Sequence, residues 1–191
     1  MSFTIEEIAE AVETFYGKTT ARSNDRRQAE GKLKRFQKAN EAWVICHQVL
    51  SNPLEVYSDN FLFSVAQTLK IKLQFDFTEL DEQSALQMNE AIIQYLSHLT
   101  ERPRSVTNQL CLSYAILYLR IHNQLKEFNV MEFLQTHLSQ NQIAVSLMID
   151  IVKAFPEEAS NSHVVIEKDV VRSFENLLDE TIATHVFTML D

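Results

Sequence analysis

Glycine and proline are almost missing from this sequence: two glycines (Gly17, Gly31) and three prolines (Pro53, Pro103, Pro156) occur in 191 residues. Sandwiches and Rossmann sheets need glycine at their turns, so the scarcity argues for helices joined by short polar loops. Two glycines also cannot compose a GxGxxG fingerprint or a P-loop, which excludes nucleotide binding by those routes. Cysteine is equally scarce. Cys46 and Cys111 lie 65 residues apart, each in an apolar helical run. That spacing predicts reduced core thiols in a cytosolic or nuclear protein rather than a disulfide framework. No run approaches the roughly 20 apolar residues of a membrane span. The acidic opening "MSFTIEEIAEAV" is neither a signal peptide nor a transit peptide. A soluble protein without membrane insertion is expected.

Catalytic constellations fail on spacing. The histidines (His47, His98, His122, His137, His163, His185) include no pair at i, i+3 or i+4 and no His-Glu-x-x-His, so a zinc site would need convergence from distant helices. Cys46 and His47 are adjacent, hence about 100° apart on a helix, and cannot serve as nucleophile and base. Glu157 and Glu158 follow Pro156 and read as the acidic first turn of a helix. Trp43, between apolar neighbours, reads as core rather than as a stacking platform for bases. No catalytic, cofactor or metal site is expected; the reading is a non-enzymatic binding scaffold.

What the sequence does have is helical periodicity and an uneven charge. It is 46% hydrophobic and 23% charged, with a net charge of −9. Eight basic and two acidic residues between Lys18 and Lys38 give that stretch a local +6, leaving −15 for the remainder. Such a patch favours an acidic contact near the start or basic partners elsewhere, and equally fits a plain solvated helix face. Ser2 or Thr4 caps a first helix, Thr4 and Glu7 having capping-box spacing, and Gly17 stops it. Further helices are predicted over about 24–38, 41–51 (capped by Asn40), from Ser58 or Asp59 to 73, over 82–99, 105–121, 129–139 and 141–155, and from about Glu167. Breaks fall at Pro53, Pro103 and Pro156.

These helices come in pairs. Second members start near 24, 58, 105 and 141, with separations of 34, 47 and 36 residues. That period brackets helix-pair repeats of the HEAT and armadillo type. An all-α helical-repeat solenoid, an α-α superhelix, is therefore expected, with residues 1–191 as one segment. Nine helices are too many for a single bundle. The chain stops inside the amphipathic run "THVFTMLD", as expected for a piece of a longer array. Burial should favour Leu33, Phe36, Trp43, Leu62, Val65, Leu69, Leu110, Leu117, Leu147 and Ile151.

The stretch "FSVAQTLKIKL" is apolar on more than one side. Its broad stripe collects Phe61, Leu62, Val65, Ala66, Leu69 and Leu73; the opposite face carries Asn60, Ser64, Gln67 and Gln74, interrupted by Phe63 and Ile71. Lys70 and Lys72 flank it. The helix 105–121 has one polar stripe: Ser105, Gln109, Ser113 and Arg120, with Ile116 inside it.

Four stretches together resemble the N-terminal region of the importin-β superfamily of nuclear transport receptors, closest to its transportin-SR branch. They are "AEGKLKRFQKANEAWVICHQVL" (29–50), "FSVAQTLKIKL" (63–73) with "FTEL" (77–80), "VTNQLCLSYAILYL" (106–119) and "FPEE" (155–158). The resemblance implies a HEAT-repeat arch whose concave surface, lined by second helices, binds the GTP form of the small GTPase Ran. It further implies protein cargo, including arginine-serine-rich splicing factors, contact with nuclear pore proteins, and shuttling between cytoplasm and nucleus. On this view Arg27, Asn60, Phe63, Gln67, Lys70, Ile71 and Gln109 face Ran. Packing of Phe63 and Ile71 on a neighbouring repeat is the competing reading, since every solenoid helix has two neighbours. Two other functions compete with this reading. An exportin-type arch would use a similar N-terminal segment. A nucleic-acid-binding repeat would need aromatics among the basic residues of 18–38, and only Phe36 is there, on the buried stripe.

Overall fold

A computed structural model describes residues 2–17, 22–52, 57–99, 101–125, 145–161, 163, 164 and 172, and no strand occurs among them. The helices are α1 (Ile5–Val12), α2 (Ser23–Gln37), α3 (Glu41–Leu50), α4 (Asp59–Phe75), α5 (Glu82–His98), α6 (Arg104–Leu125) and α7 (Val145–Ala159). A π-helical turn (Glu13–Gly17) follows α1, and a 3-10 turn (Phe77–Glu79) precedes α5. The helices predicted near 129–139 and from Glu167 lie outside the described residues.

Local chemistry sets most of the ends. Thr4 Oγ1 accepts from the Glu7 amide at 3.3 Å, and Glu7 Oε2 accepts from the Thr4 amide at 3.4 Å, the reciprocal capping box. Ser58 Oγ accepts from the Phe61 amide at 3.2 Å, and Asp81 Oδ1 from the Ser84 amide at 2.7 Å, so these two side chains start α4 and α5. Two expected boundaries differ. Asn40 occupies the N-cap position of α3 with helical backbone angles, and its side chain makes no capping bond. Pro156 does not end α7, which runs on to Ala159. An interior proline costs a helix roughly 3 kcal/mol, but Ala154, Phe155 and Glu158 are all buried around it, and that packing holds the last turn. Glu157 and Glu158 therefore close a helix instead of opening one.

The pairs α1/α2, α3/α4 and α5/α6 pack internally, and the second members α4, α6 and α7 pack successively on one another. These three run parallel. Arg102, just before α6, bonds Asp59 in the first turn of α4 at 3.2 Å, while Arg120, late in α6, bonds the Gln74 carbonyl at the end of α4 at 2.7 Å. The same sense relates α6 to α7: Arg104 bonds Asp150 at 3.0 Å, and Arg120 reaches the His163 carbonyl just past α7 at 3.5 Å. The chain is an all-α helical-repeat solenoid. The first helices α3 and α5 meet mainly through long side chains, His47 Nδ1 sharing a hydrogen bond with the Tyr95 hydroxyl.

The middle second helix is the most enclosed. Val106, Thr107, every residue from Leu110 to Leu119, and Ile121 are buried, including the polar-stripe members Ser113 and Ile116. Ser113 satisfies its hydroxyl by donating to the Gln109 carbonyl at 2.8 Å. All residues expected in the core are buried except Trp43, which is half-buried with its indole N–H turned to a carboxylate.

Candidate functional site

α4 is covered on most of its circumference by α3, α6, α1 and the π-helical turn. Between the exposed end residues Asp59 and Phe75, one narrow row stays accessible: Asn60 is exposed, and Phe63, Gln67, Lys70 and Ile71 are half-exposed. Their spacing of three or four residues makes them a single strip along the second-helix layer. Phe63 is both surface and packing, because one side of it rests on the core and on the Tyr16 ring, edge-on at 6.4 Å between centroids. Gln67 sits mid-strip.

Three residues assigned to the open face or its margin are not there. Ser64 and Gln74 are buried, since the neighbouring helices close over the edges of the predicted polar face. Lys72 is a larger departure: its side chain is wholly covered. Its ammonium bonds Asp76 at 2.8 Å and Glu79 at 2.7 Å, and lies 5.2 Å above the Trp43 ring, whose Nε1 donates to Glu79 at 2.8 Å. Burial alone would lower the lysine pKa; the hydrogen bonds to Asp76 and Glu79 outweigh it and raise it. Glu79 is held below the ordinary range by the hydrogen bonds from Lys72 and Trp43. This network fastens α3 and α4 to the 3-10 turn, and its role is structural.

Lys70 keeps a different company. Its charge lies near Glu158 on α7, a carboxyl only 3% exposed whose pKa burial raises, against the lowering effects of the Asn161 hydrogen bond (2.9 Å) and of Lys70 itself. Gln109 is half-buried on α6, and its Oε1 has no hydrogen-bond partner among the described residues. The parallel register sets it level with the stretch that begins at Phe63, beside the strip. Arg27 is exposed on α2, where its charge favours the Glu30 carboxylate of its own helix. α2 touches α4 only lightly, so Arg27 joins the face as a neighbour and not as a member of the strip.

Cys46 and Cys111 are both buried and free. Burial pushes Cys46 well above the usual thiol range and Cys111 up to about 12. Cys46 donates to the Val65 carbonyl at 3.5 Å, and His47 turns to Tyr95. The pair has no shared chemistry. No cluster of three or more metal-ligating side chains occurs among the described residues.

A strip that mixes apolar and polar side chains has the composition of a protein-binding surface. The chain is similar to known transport proteins over most of its length. Transportin MOS14 of Arabidopsis thaliana is 27% identical over 151 residues, 76% of this chain and 15% of its own. The mRNA transport regulator MTR10 of Saccharomyces cerevisiae is 25% identical over 142 residues, 73% of this chain and 14% of its own. An uncharacterized protein of Schizosaccharomyces pombe is 26% identical over 157 residues, 82% of this chain and 16% of its own. No protein-family model matches the chain. The chain thus shows partial homology to a transportin and to an mRNA transport regulator, and the matched stretch spans only 15% and 14% of those relatives' own length.

Proposed function

We propose that this chain is the N-terminal HEAT-repeat segment of a nuclear import receptor, non-enzymatic, which binds Ran in its GTP form through the exposed row of α4 and its neighbours on α6 and α2. The observation that carries the reading is the strip itself. Asn60, Phe63, Gln67, Lys70 and Ile71 form an accessible row along a helix whose other sides are largely enclosed between its exposed end residues Asp59 and Phe75, and they combine apolar anchors with a polar rim. Similarity to a transportin and to an mRNA transport regulator supports the transport role. Protein cargo, arginine-serine-rich splicing factors among it, nuclear pore proteins as further partners, and shuttling between cytoplasm and nucleus belong to the same proposal. A pull-down of residues 1–191 with Ran loaded with GTP or GDP tests it. Retention of the GTP form alone supports the reading, and equal retention of both forms, or of neither, refutes it.

A further inference from the structure

Four large apolar side chains remain exposed among the described residues: Tyr16, Val44, Phe75 and Ile149. Tyr16 is the one set directly against the α4 strip. α1 buries Ile8, Ala11 and Val12 on one stripe, and the π-helical turn that follows adds a residue to the turn and rotates the chain out of that stripe. Tyr16 consequently stands 44% exposed.

The turn is held in place. Glu13 Oε1 accepts from Ser58 Oγ, the α4 cap, at 2.6 Å. Gly17 leaves room for that carboxylate, because a Cβ there would stand 2.5 Å from Glu13 Oε2. The Tyr16 ring lies edge-on to Phe15 at 4.7 Å and to Phe63 at 6.4 Å. Phe63 is half-buried, so the pair has an anchored inner ring and an open outer one. α2 packs against the same turn, and Arg22 and Arg27 are exposed at its start.

We infer that Tyr16 and Phe63 form an aromatic lip that receives an apolar side chain of the bound Ran·GTP surface, and that the arginines beginning α2 meet carboxylates framing it. The inference rests on the Ran reading above. Two rigid rings offer contact area at low entropy cost. The local charge of +6, on a chain whose remainder carries −15, is complementary to an acidic partner surface at this end.

Titration of Ran·GTP into the unaltered chain and the Tyr16→Ala, Tyr16→Phe and Arg27→Glu variants tests it. Tyr16→Ala should weaken binding by about tenfold or more, as for a hot-spot aromatic, while Tyr16→Phe keeps most of the affinity. Arg27→Glu should slow association and flatten its dependence on salt. A photoreactive benzoyl-phenylalanine at position 16 keeps an aromatic ring in place and should crosslink to Ran·GTP, which holds the test independent of any folding defect in Tyr16→Ala. If the unaltered chain binds and neither the alanine variant nor the crosslinker reports contact, the lip is wrong and the Ran reading stands. If the unaltered chain does not bind Ran·GTP, both fall.

Discussion

Replacing Lys72 by methionine keeps the buried stem of the side chain and removes its ammonium. Lost with it are the hydrogen bonds to Asp76 and Glu79 (2.8 and 2.7 Å) and the contact 5.2 Å above Trp43. Breaking a fully buried ion pair costs about 3–5 kcal/mol because a charge is left stranded. Here the abandoned carboxylates are 30% and 38% exposed and can take up water, which pulls the cost toward the value of at most about 1 kcal/mol for each surface pair. The cation–aromatic contact adds about 0.5–1 kcal/mol, and the apolar methionine recovers part through easier desolvation. A net loss of about 1–2.5 kcal/mol is expected. Urea denaturation should show it as a lower midpoint at unchanged slope. A cycle with Glu79→Gln should return a coupling of about 1 kcal/mol. The pH dependence has a definite sign. Glu79 titrates lower in the folded protein than in the unfolded chain, so its stabilisation is present above the ordinary glutamate range and fades as pH falls through the depressed value. Lys72→Met should flatten that acid limb. A midpoint equal to the parent's, or zero coupling, would refute the reasoning.

Glu158 has the opposite sign: its folded pKa is raised by burial, so its ionisation opposes folding as pH climbs through and above the ordinary carboxylate range. Glu158→Gln should therefore raise the melting temperature more at pH 7.5 than at pH 4.5, and an equal shift at both would contradict this. Leu69→Ala removes a wholly buried side chain between α4 and its neighbours and should destabilise by about 2–5 kcal/mol in the same urea assay. Both thiols should resist a thiol reagent at pH 7.5 until the chain unfolds, because burial raises each pKa well above that pH. Cys111→Val, a small hydrophobe for another, should cost less than about 1.5 kcal/mol.

The structure and the sequence agree best where a local signal suffices. Capping residues and helix breakers placed most helix ends within a residue or so, because Thr4 and Ser58 each act on backbone groups only a few positions away. The accessible row from Asn60 to Ile71 was legible for the same reason, being one line of a helical net. Its edges were not. Ser64 and Gln74 lie on the same broad face, and only the approach of other helices decides that they are covered. Lys72 shows the division within one residue: Asp76 and Glu79 stand four and seven positions on, within reach by spacing alone, whereas Trp43 arrives from another helix. Pro156 does not break its helix, because packing around Phe155 and Glu158 outweighs a local preference. Tyr16 is not legible in the sequence because a π-helical turn shifts every later side chain off the 3.6-residue period.

Lys70 is a poorer probe of the partner face than its position on the strip suggests. A glutamate there would stand near the buried Glu158 carboxyl, so lost binding and lost stability would arrive together. Gln67, mid-strip, avoids this. The most direct test of the central claim places a photoreactive benzoyl-phenylalanine at Gln67 and, in a second protein, at Gln87 on the exposed stripe of α5. Each is irradiated with Ran loaded with GTP or with GDP. Crosslinking from position 67 to the GTP form, with little from position 87 and little to the GDP form, is the result the account predicts. Equal crosslinking from both positions, or capture from position 87 alone, would contradict it.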